Sequence, residues 1–243
     1  MKKVLVIGES CKDIFIYCDS LRLAPDLPVP IVQPQFTRDN PGMAMNVLRN
    51  IAALHNNCNI ITNSNWENVK KTRFVHAKTN HLFLRVDEND VVQRFDSSRV
   101  DLSSDVIVVS DYNKGFLNAD DIEFLCSRHS CVIVDSKKPL GNWASKARFI
   151  KINNFEYSRS DIGVTKDLDD KIICTLGGDG ARFQGVVYPT EYVDVRDSSG
   201  AGDSFLAALV VKYINTNDII ESIKYANIKA SEIVAERGVG VIG

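Results

Sequence analysis

The chain has 243 residues, of which 44% are hydrophobic, 25% are charged and 8% are aromatic. This length and composition predict one globular domain, or a core domain with a small appendage. Lys and Arg total 29 against 31 for Asp and Glu, so no bulk positive charge is available to bind nucleic acid or a membrane surface. No apolar run approaches a membrane span, and Lys12 and Asp13 interrupt the first run too early for a signal peptide. We therefore expect a cytoplasmic protein that binds any anion locally.

Short runs rich in valine and isoleucine recur along the chain. Their consecutive apolar positions predict strands covered on both faces, as in a parallel sheet. The runs are KVLVIG, which closes at Gly8, and then 105–111, 131–137, 148–153 and 171–177. Helix-like segments lie between them: MAMNVLRNIAALH carries an apolar stripe, and NADDIEFLCSRH begins with Asn118 as a cap. This alternation predicts a layered α/β core.

Two regions break the alternation of strands and helices. Five of the seven prolines fall between Pro25 and Pro41, which excludes a helix there and predicts an extended edge strand. Further on, HLFLRVD alternates in side-chain type, as expected for a strand with two different faces. Together with DIFIY, these segments predict a small separate sheet.

Three common nucleotide or hydrolase motifs are absent or misplaced. GVGVIG at 238–243 matches GxGxxG, but no helix follows that could direct its amides at a pyrophosphate. The chain contains neither a GxxxxGK[ST] loop nor a GxSxG elbow. Rossmann, P-loop and α/β-hydrolase interpretations therefore lose their main support.

The stretch DSSGAGDSFLAALVV, from Asp197, joins small residues and an acid to an apolar helical pattern. We expect the helix to begin near Gly200, with Asp197, Ser198 and Ser199 available as caps. The amides of Gly200, Ala201 and Gly202 would then be unpaired at the positive helix end, which binds anions. Asp203, at an ordinary carboxyl pKa, could accept the proton of a hydroxyl as phosphate is transferred to it. The alternative is that Asp203 only complements the helix dipole.

DSSGAGDSF resembles the DTxGAGDxF signature of the ribokinase-like carbohydrate kinases. The resemblance implies a three-layer α/β/α core with a mostly parallel sheet, plus a small β lid. It implies that Asp203 is the catalytic base and that the amides of Gly200, Ala201 and Gly202 form the anion hole. It divides the chain into a core of 1–12, 39–70 and 101–243 and a discontinuous lid of 13–38 and 71–100.

Other segments resemble the heptose-phosphate kinase branch of that family, found in bacterial ADP-heptose synthesis. They are VIGESCKDIFIYCDSLRLAPDLPVPIV, NPGMAMNVLRNIAAL, KTRFV with LFLRVD, and SDYNKGFL. The resemblance places seven residues near a sugar or sugar-phosphate acceptor: Asp13, Gly42, Asn46, Arg85, Asp87, Asp111 and Lys114. If the acceptor carries a phosphate, Arg85 can hold it with two parallel hydrogen bonds. The alternative is that Arg85 and Lys114 are solvated surface cations.

Three further segments are similar to the family's nucleotide-binding elements. NNFE fits NxxE, which implies that Asn153 and Glu156 lie at the phosphates and that Glu156 helps to organise Mg²⁺. TLGGDG fits TxGxxG and YANIKASEIV fits the adenine-side helix, which add four nucleotide-binding residues: Thr175, Gly177, Gly180 and Asn227. Without the resemblance, each signal is weak, because Glu156 could be a helix-start acid, GGDG is a hairpin signal and Asn227 needs no function. The implied cofactors are ATP and Mg²⁺, with dependence on a monovalent cation left open.

Three departures from the family pattern keep alternatives open. Pro41 replaces the first Gly of a GG pair, Glu9 stands where Gly-Asp is usual, and IITNSNWENVKKTRF is shorter than the usual βα segment, which predicts a smaller sheet on that side. We expect a kinase acting on a sugar or sugar phosphate. A catalytically silent sugar-phosphate or nucleotide-binding regulator and a kinase for a nucleoside or vitamin are the alternatives. Exposed edges of the lid sheet also predict a homodimer.

Overall fold

The computed structural model describes residues 1–194, 199–235 and 240–242. Within these ranges, twelve strands and six α-helices follow one another. They are β1 (Val4–Gly8), β2 (Ser10–Leu23), β3 (Pro30–Met43), α1 (Ala44–Leu54), β4 (Cys58–Ile61), β5 (Lys70–His76), β6 (Leu82–Glu88), β7 (Val106–Asp111), α2 (Ala119–Arg128), β8 (Val132–Ser136), β9 (Phe149–Asn153), α3 (Asn154–Arg159), α4 (Ile162–Asp167), β10 (Ile172–Thr175), β11 (Ala181–Phe183), β12 (Val186–Tyr188), α5 (Ala201–Thr216) and α6 (Ile219–Val234).

The larger sheet has eight strands in the order β12-β11-β10-β9-β8-β7-β1-β4. The six strands from β10 to β4 in that order are parallel, and only the β10-β11-β12 meander is antiparallel. Each of the five valine- and isoleucine-rich runs forms one of the parallel strands, which confirms the prediction. On the β4 side the sheet ends at β4, and residues 62–69 lead directly into the smaller sheet.

Two apolar clusters cover the two faces of the larger sheet. Val4 and Val6 of β1 pack in the cluster that contains α1, α5 and α6. Leu5 and Ile7 point to the opposite face, into the cluster that contains α2. Because both faces of the sheet are buried, its strands are apolar at consecutive positions. The observed layers confirm the expected α/β/α core.

The smaller sheet has four strands in the order β3-β2-β5-β6. β3 carries three of the prolines and lies at the edge, where it pairs only with β2, as the sequence predicts. β2 runs parallel to β5, and β5 is antiparallel to β6. All four strands overlap the ranges 13–38 and 71–100, although β2 begins at Ser10 and β3 continues to Met43, beside the larger sheet.

Residues at or near the carboxyl ends of β7 to β10 line one cavity together with the first turn of α5. Helix α5 is buried over most of its length, which fixes the position of its first turn relative to the strands. At Gly8 a Cβ would lie 1.9 Å from the Ser110 carbonyl oxygen, so only glycine lets β1 end this close to β7. Among the described residues, no helix has both the length and the apolar character needed to span a membrane.

Candidate functional site

Three adjoining cavities form a trench along the carboxyl ends of the parallel strands. The first, here the apolar cavity, has a volume of about 280 Å³ and shares Thr175, Gly177 and Gly202 with the second. The second, the middle cavity, measures about 320 Å³. It shares Tyr112, Gly200 and Asp203 with the third, the lid cavity of about 260 Å³, which the smaller sheet borders. A long ligand could therefore lie across the first two cavities with its end facing a second ligand in the third.

Asp203 lies in the first turn of α5, at the junction of the middle and lid cavities. The side-chain amide of Asn46 donates to its Oδ2 at 2.9 Å, and the Tyr112 hydroxyl donates to its Oδ1 at 2.6 Å. Burial raises the pKa of Asp203, and the two hydrogen bonds only partly offset that rise. The chemistry would need no more than an ordinary carboxyl pKa, but the side chain is only 8% exposed and its pKa lies above that value.

Helix α5 begins directly after Gly200, which is its N-cap residue with a φ of 82° and provides no side-chain cap. Of the expected caps, Asp197 and Ser198 lie outside the described residues. The first backbone bond of the helix runs from the Ser204 amide to the Gly200 carbonyl at 2.9 Å, so the amides of Ala201 and Gly202 have no partner within the helix. Gly200 and Gly202 both line the middle cavity. This geometry fits an anion at the helix end.

Two lysines that the sequence analysis did not single out also line the middle cavity. Lys151 of β9 lies 2.7 Å from Asp135, and Lys137 lies 3.2 Å from Asp135 and 2.7 Å from Glu156. Burial lowers the pKa of Lys137, but the two carboxylates outweigh it and raise the pKa overall, so the ammonium group stays charged. The sequence signal for Lys151 was a lysine inside the apolar run FIKIN, since lysine is rarely fully buried unless it is paired.

Asn153 and Glu156 form a reciprocal capping box at the start of α3. The Asn153 side-chain oxygen accepts from the backbone N–H of Glu156 at 2.8 Å, and the Glu156 carboxylate accepts from the backbone N–H of Asn153 at 2.9 Å. Asn153 lines the middle cavity, whereas Glu156 contacts the lining through Asn153 and through its ion pair with Lys137. Within the described part of the chain, no group of three or more His, Cys, Asp or Glu side chains could hold a metal ion.

The apolar cavity contains the other predicted nucleotide-binding residues. Gly177 and Gly180 have φ values of 63° and 91° and form the turn between β10 and β11, so the hairpin interpretation is correct. A Cβ at Gly180 would lie 2.2 Å from the Tyr188 carbonyl, which requires glycine there. Thr175 lines the same cavity. Asn227 lines it too, but its amide donates to the Tyr188 carbonyl at 2.8 Å, which ties α6 to the end of β12.

Four of the seven predicted acceptor residues line the lid cavity: Asp13, Asn46, Arg85 and Lys114. Arg85 is bound through two nitrogens to the Asp87 carboxylate, at 2.7 and 2.8 Å, and this interaction lowers the pKa of Asp87 to about 2. Lys114 is ion-paired with Asp90. The lid cavity therefore has a strongly charged wall.

Lys71 and Arg73 of β5 also line the lid cavity, although the sequence analysis did not name them. Arg73 pairs with Asp13 at 2.5 Å, and Lys71 lies 3.2 Å from both Asp87 and Asp90. The segment KKTRF was the available signal, since it places two cations on a strand beside the predicted acceptor residues. This wall of the cavity is therefore a network of cations that are paired with carboxylates.

The other three predicted acceptor residues do not line the lid cavity. Gly42 lies behind Asp13, where a Cβ would come within 2.2 Å of Asp13 Oδ2. Asp87 contacts the cavity lining through Arg85 and Lys71. Asp111 is the clearest departure from the prediction: its carboxylate is buried and accepts from Lys138 at 2.8 Å and from the Ser136 hydroxyl at 2.5 Å. This ion pair holds the ends of β7 and β8 together.

The pattern of the pfkB family of carbohydrate kinases matches residues 116–242, more than half of the chain. The chain belongs to this family. It is also 25% identical to the bifunctional protein HldE of Helicobacter pylori (strain G27), over 98% of this chain and 64% of that protein. It is 27% identical to the HldE protein of Bradyrhizobium diazoefficiens, over 99% of this chain and 61% of that protein. The chain thus spans less than two thirds of the length of these curated relatives.

Solved structures of similar proteins confirm the ribokinase-like fold. Ribokinase from Thermotoga maritima superposes with a TM-score of 0.71 at 15% identity, over 98% of this chain and 95% of that chain. Phosphofructokinase-2 from Escherichia coli, in complex with potassium, superposes with a TM-score of 0.72 at 13% identity, over 99% of this chain and 95% of that chain. Fold and family together identify a carbohydrate kinase, as the sequence predicts.

Proposed function

We propose that this carbohydrate kinase transfers the γ-phosphoryl group of ATP to a hydroxyl of a sugar or sugar phosphate, with an acceptor like heptose 7-phosphate favoured. The position of Asp203 carries the proposal. It lies between the open amides of α5 on one side and the charged lid cavity on the other. A group moving from the middle cavity to the lid cavity must pass this carboxylate.

ATP fits the first two cavities. The adenine would lie among the apolar walls of the first cavity, which include Phe205 and Val234, beside Asn227. The phosphates would extend past Thr175 and Gly177 to the α5 amides and the two buried lysines. Because the Glu156 carboxylate is already bound to Lys137, a Mg²⁺ ion that arrives with the nucleotide would be held chiefly by phosphate and water oxygens.

Asp203 would act as the general base. Phosphoryl transfer has a loose transition state, so catalysis needs positioning and oriented dipoles more than a strong base. The amides of Gly200, Ala201 and Gly202 would hold the moving phosphoryl group while Asp203 accepts the hydroxyl proton. The raised pKa of Asp203 makes the carboxylate a better acceptor of that proton than a solvent-exposed aspartate.

The cations of the lid cavity support an anionic acceptor. Its lining includes four of them, namely Lys71, Arg73, Arg85 and Lys114. Their carboxylate partners are Asp13, Asp87 and Asp90, so a phosphate would take the place of one of these carboxylates. Arginine and lysine side chains hold phosphate through charge-assisted hydrogen bonds. The similarity to the bifunctional HldE proteins along nearly the whole chain favours a heptose phosphate among such acceptors.

The smaller sheet would also form a homodimer interface. Leu82, Leu84 and Val86 project from β6, an edge strand, and are 47%, 55% and 38% exposed. A row of exposed apolar side chains on an unpaired edge favours association with a second copy. Light scattering coupled to size exclusion should give twice the monomer mass of 27.1 kDa, and a Leu84→Lys variant should give the monomer mass.

The test is acceptor-dependent release of ADP from ATP and Mg²⁺ across a panel of sugars and sugar phosphates. We expect turnover with a phosphorylated sugar, and a fall of about 10² to 10⁴ in Asp203→Asn. Asp170→Asn is the control, because Asp170 is exposed and lines none of the three cavities. Thermal stabilisation by ligand without any ADP would instead support a regulator that only binds. A parent rate in Asp203→Asn would contradict the role of Asp203.

A further inference from the structure

Tyr112 occupies the junction of the middle and lid cavities, directly after β7. Its hydroxyl is 2.6 Å from Asp203 Oδ1, and the Lys137 ammonium lies 5.5 Å from the centre of its ring. The residue lines both cavities. None of the roles assigned so far uses it, although its hydroxyl contacts Asp203 from the β7 end.

The Asp203 carboxylate is held from both sides. Asn46, on α1, binds one oxygen at 2.9 Å while Tyr112 binds the other. Two donors on different elements fix the plane of the carboxylate relative to both cavities. Each carboxylate oxygen retains lone-pair capacity, so the group can still accept a proton from a hydroxyl in the lid cavity.

We propose that Tyr112 is a positioning residue for phosphoryl transfer, whose hydroxyl orients the Asp203 carboxylate and keeps it ionised. The proposal rests on the proposed function, in which Asp203 is the base. A buried carboxylate without donors would take up a proton near neutral pH and could no longer accept one from the substrate. The Tyr112 hydroxyl counteracts that tendency at the oxygen it binds.

The surrounding charges are consistent with this role. Asp135, on β8, raises the pKa of Asp203, whereas Lys151, on β9, lowers it. Burial raises the pKa of Tyr112 well above its ordinary value, and the charges of Asp203, Asp135 and Asp13 add to the rise. The phenol therefore keeps its proton and remains the donor in the pH range in which Asp203 titrates.

Tyr112→Phe removes the donor and keeps the ring. The pKa of Asp203 should then rise by about one unit. The acidic limb of the kcat/KM profile should move to higher pH by the same amount, with the KM for ATP little changed. A residue that only packed against its neighbours would lower activity at all pH values without moving the limb.

The test that does not depend on activity is a titration of the Asp203 carboxyl carbon by ¹³C NMR in protein labelled at aspartate. The Asp203→Asn variant identifies the signal by its loss. We expect a higher midpoint in Tyr112→Phe and a lower midpoint when 3-fluorotyrosine, a stronger donor, is incorporated at position 112. Tyr225→Phe should match the parent, because Tyr225, on α6, packs beside Lys212 of α5 and lines none of the three cavities.

An unchanged midpoint in both position-112 variants would overturn the role of Tyr112, even if Asp203→Asn is inactive. A parent rate of sugar phosphorylation in Asp203→Asn would instead refute the proposed function, and with it the part of Tyr112 in the reaction. The two failures are therefore distinguishable.

Discussion

Replacing Lys151 with methionine separates the structural role of the buried lysine from its catalytic role. Its ammonium lies 2.7 Å from Asp135, and the two side chains are 3% and 7% exposed. The same ammonium lies 3.1 Å from the point that a Cβ on Gly202 would occupy. Lys151 is therefore positioned to add positive charge to the proposed anion hole, and Lys151→Met removes that charge while preserving most of the side-chain volume.

The structure sets the expected magnitudes. Breaking a buried ion pair by removing one partner costs about 3–5 kcal/mol of unfolding free energy, because a charge is left uncompensated. Asp135 retains Lys137 at 3.2 Å, so we expect the lower end, about 3 kcal/mol. Removing one donor to a transition-state anion lowers the rate by about 10² to 10³. Adding Asp135→Asn removes the uncompensated charge and should restore stability without restoring the rate.

The two effects are measured by urea denaturation and by acceptor-dependent ADP release, on the single and the double variants. Lys146→Met is the matched control. Lys146 is exposed and donates to the Ser127 hydroxyl at 3.3 Å, so the unfolding free energy of this variant should change by under about 0.5 kcal/mol. If the double variant recovers both stability and rate, Lys151 is structural only and the reasoning fails.

Three further predictions concern other buried groups. Gly42→Ala should displace the Asp13 carboxylate from Arg73, because the new Cβ would lie 2.2 Å from Asp13 Oδ2. In steady-state kinetics, the KM for the acceptor should rise at least about tenfold while the KM for ATP stays unchanged. Equal changes in the two KM values would contradict this prediction. Asp203 has a raised pKa, so its ionisation costs stability as pH rises from the ordinary carboxyl value through the raised one. The unfolding free energy of the parent should accordingly fall relative to that of Asp203→Asn as the pH rises through this window. A difference that does not change with pH would show that burial does not raise the pKa of Asp203. Burial, and then the charge of Asp111, raise the pKa of Glu9, whose Oε2 is buried without a hydrogen bond. The melting temperature of Glu9→Gln should therefore rise relative to that of the parent as pH increases. A difference in melting temperature that does not change with pH would refute the raised pKa.

The sequence predicts those elements whose signals are local. The parallel strands are recognisable because burial on both faces demands consecutive apolar residues, and the edge position of β3 follows from prolines that cannot donate to a second neighbour. The start of α5 is also predicted by a local signal, because Gly200 adopts a left-handed conformation and the apolar helical run begins directly after it. The GAGD segment therefore lies at the start of α5, where the middle and lid cavities meet.

The surroundings of Asp203 depend on contacts that no local pattern contains. Asn46 and Tyr112 are separated from it by 157 and 91 positions, so their hydrogen bonds exist only once the larger sheet has formed. The prediction for Asp111 departs from the structure for the same reason. Its position at the end of β7 suggested a site residue, but Lys138, 27 positions further on, folds back to bind it.

The most direct test is a crystal structure of the protein with a non-hydrolysable ATP analogue and a sugar phosphate. The account predicts that the γ-phosphate lies within hydrogen-bond distance of the amides of Gly200 to Gly202. It further predicts an acceptor hydroxyl within about 3.2 Å of Asp203, on the lid side of the carboxylate. A nucleotide whose phosphates bind away from α5, or an acceptor whose hydroxyls do not reach Asp203, would contradict it.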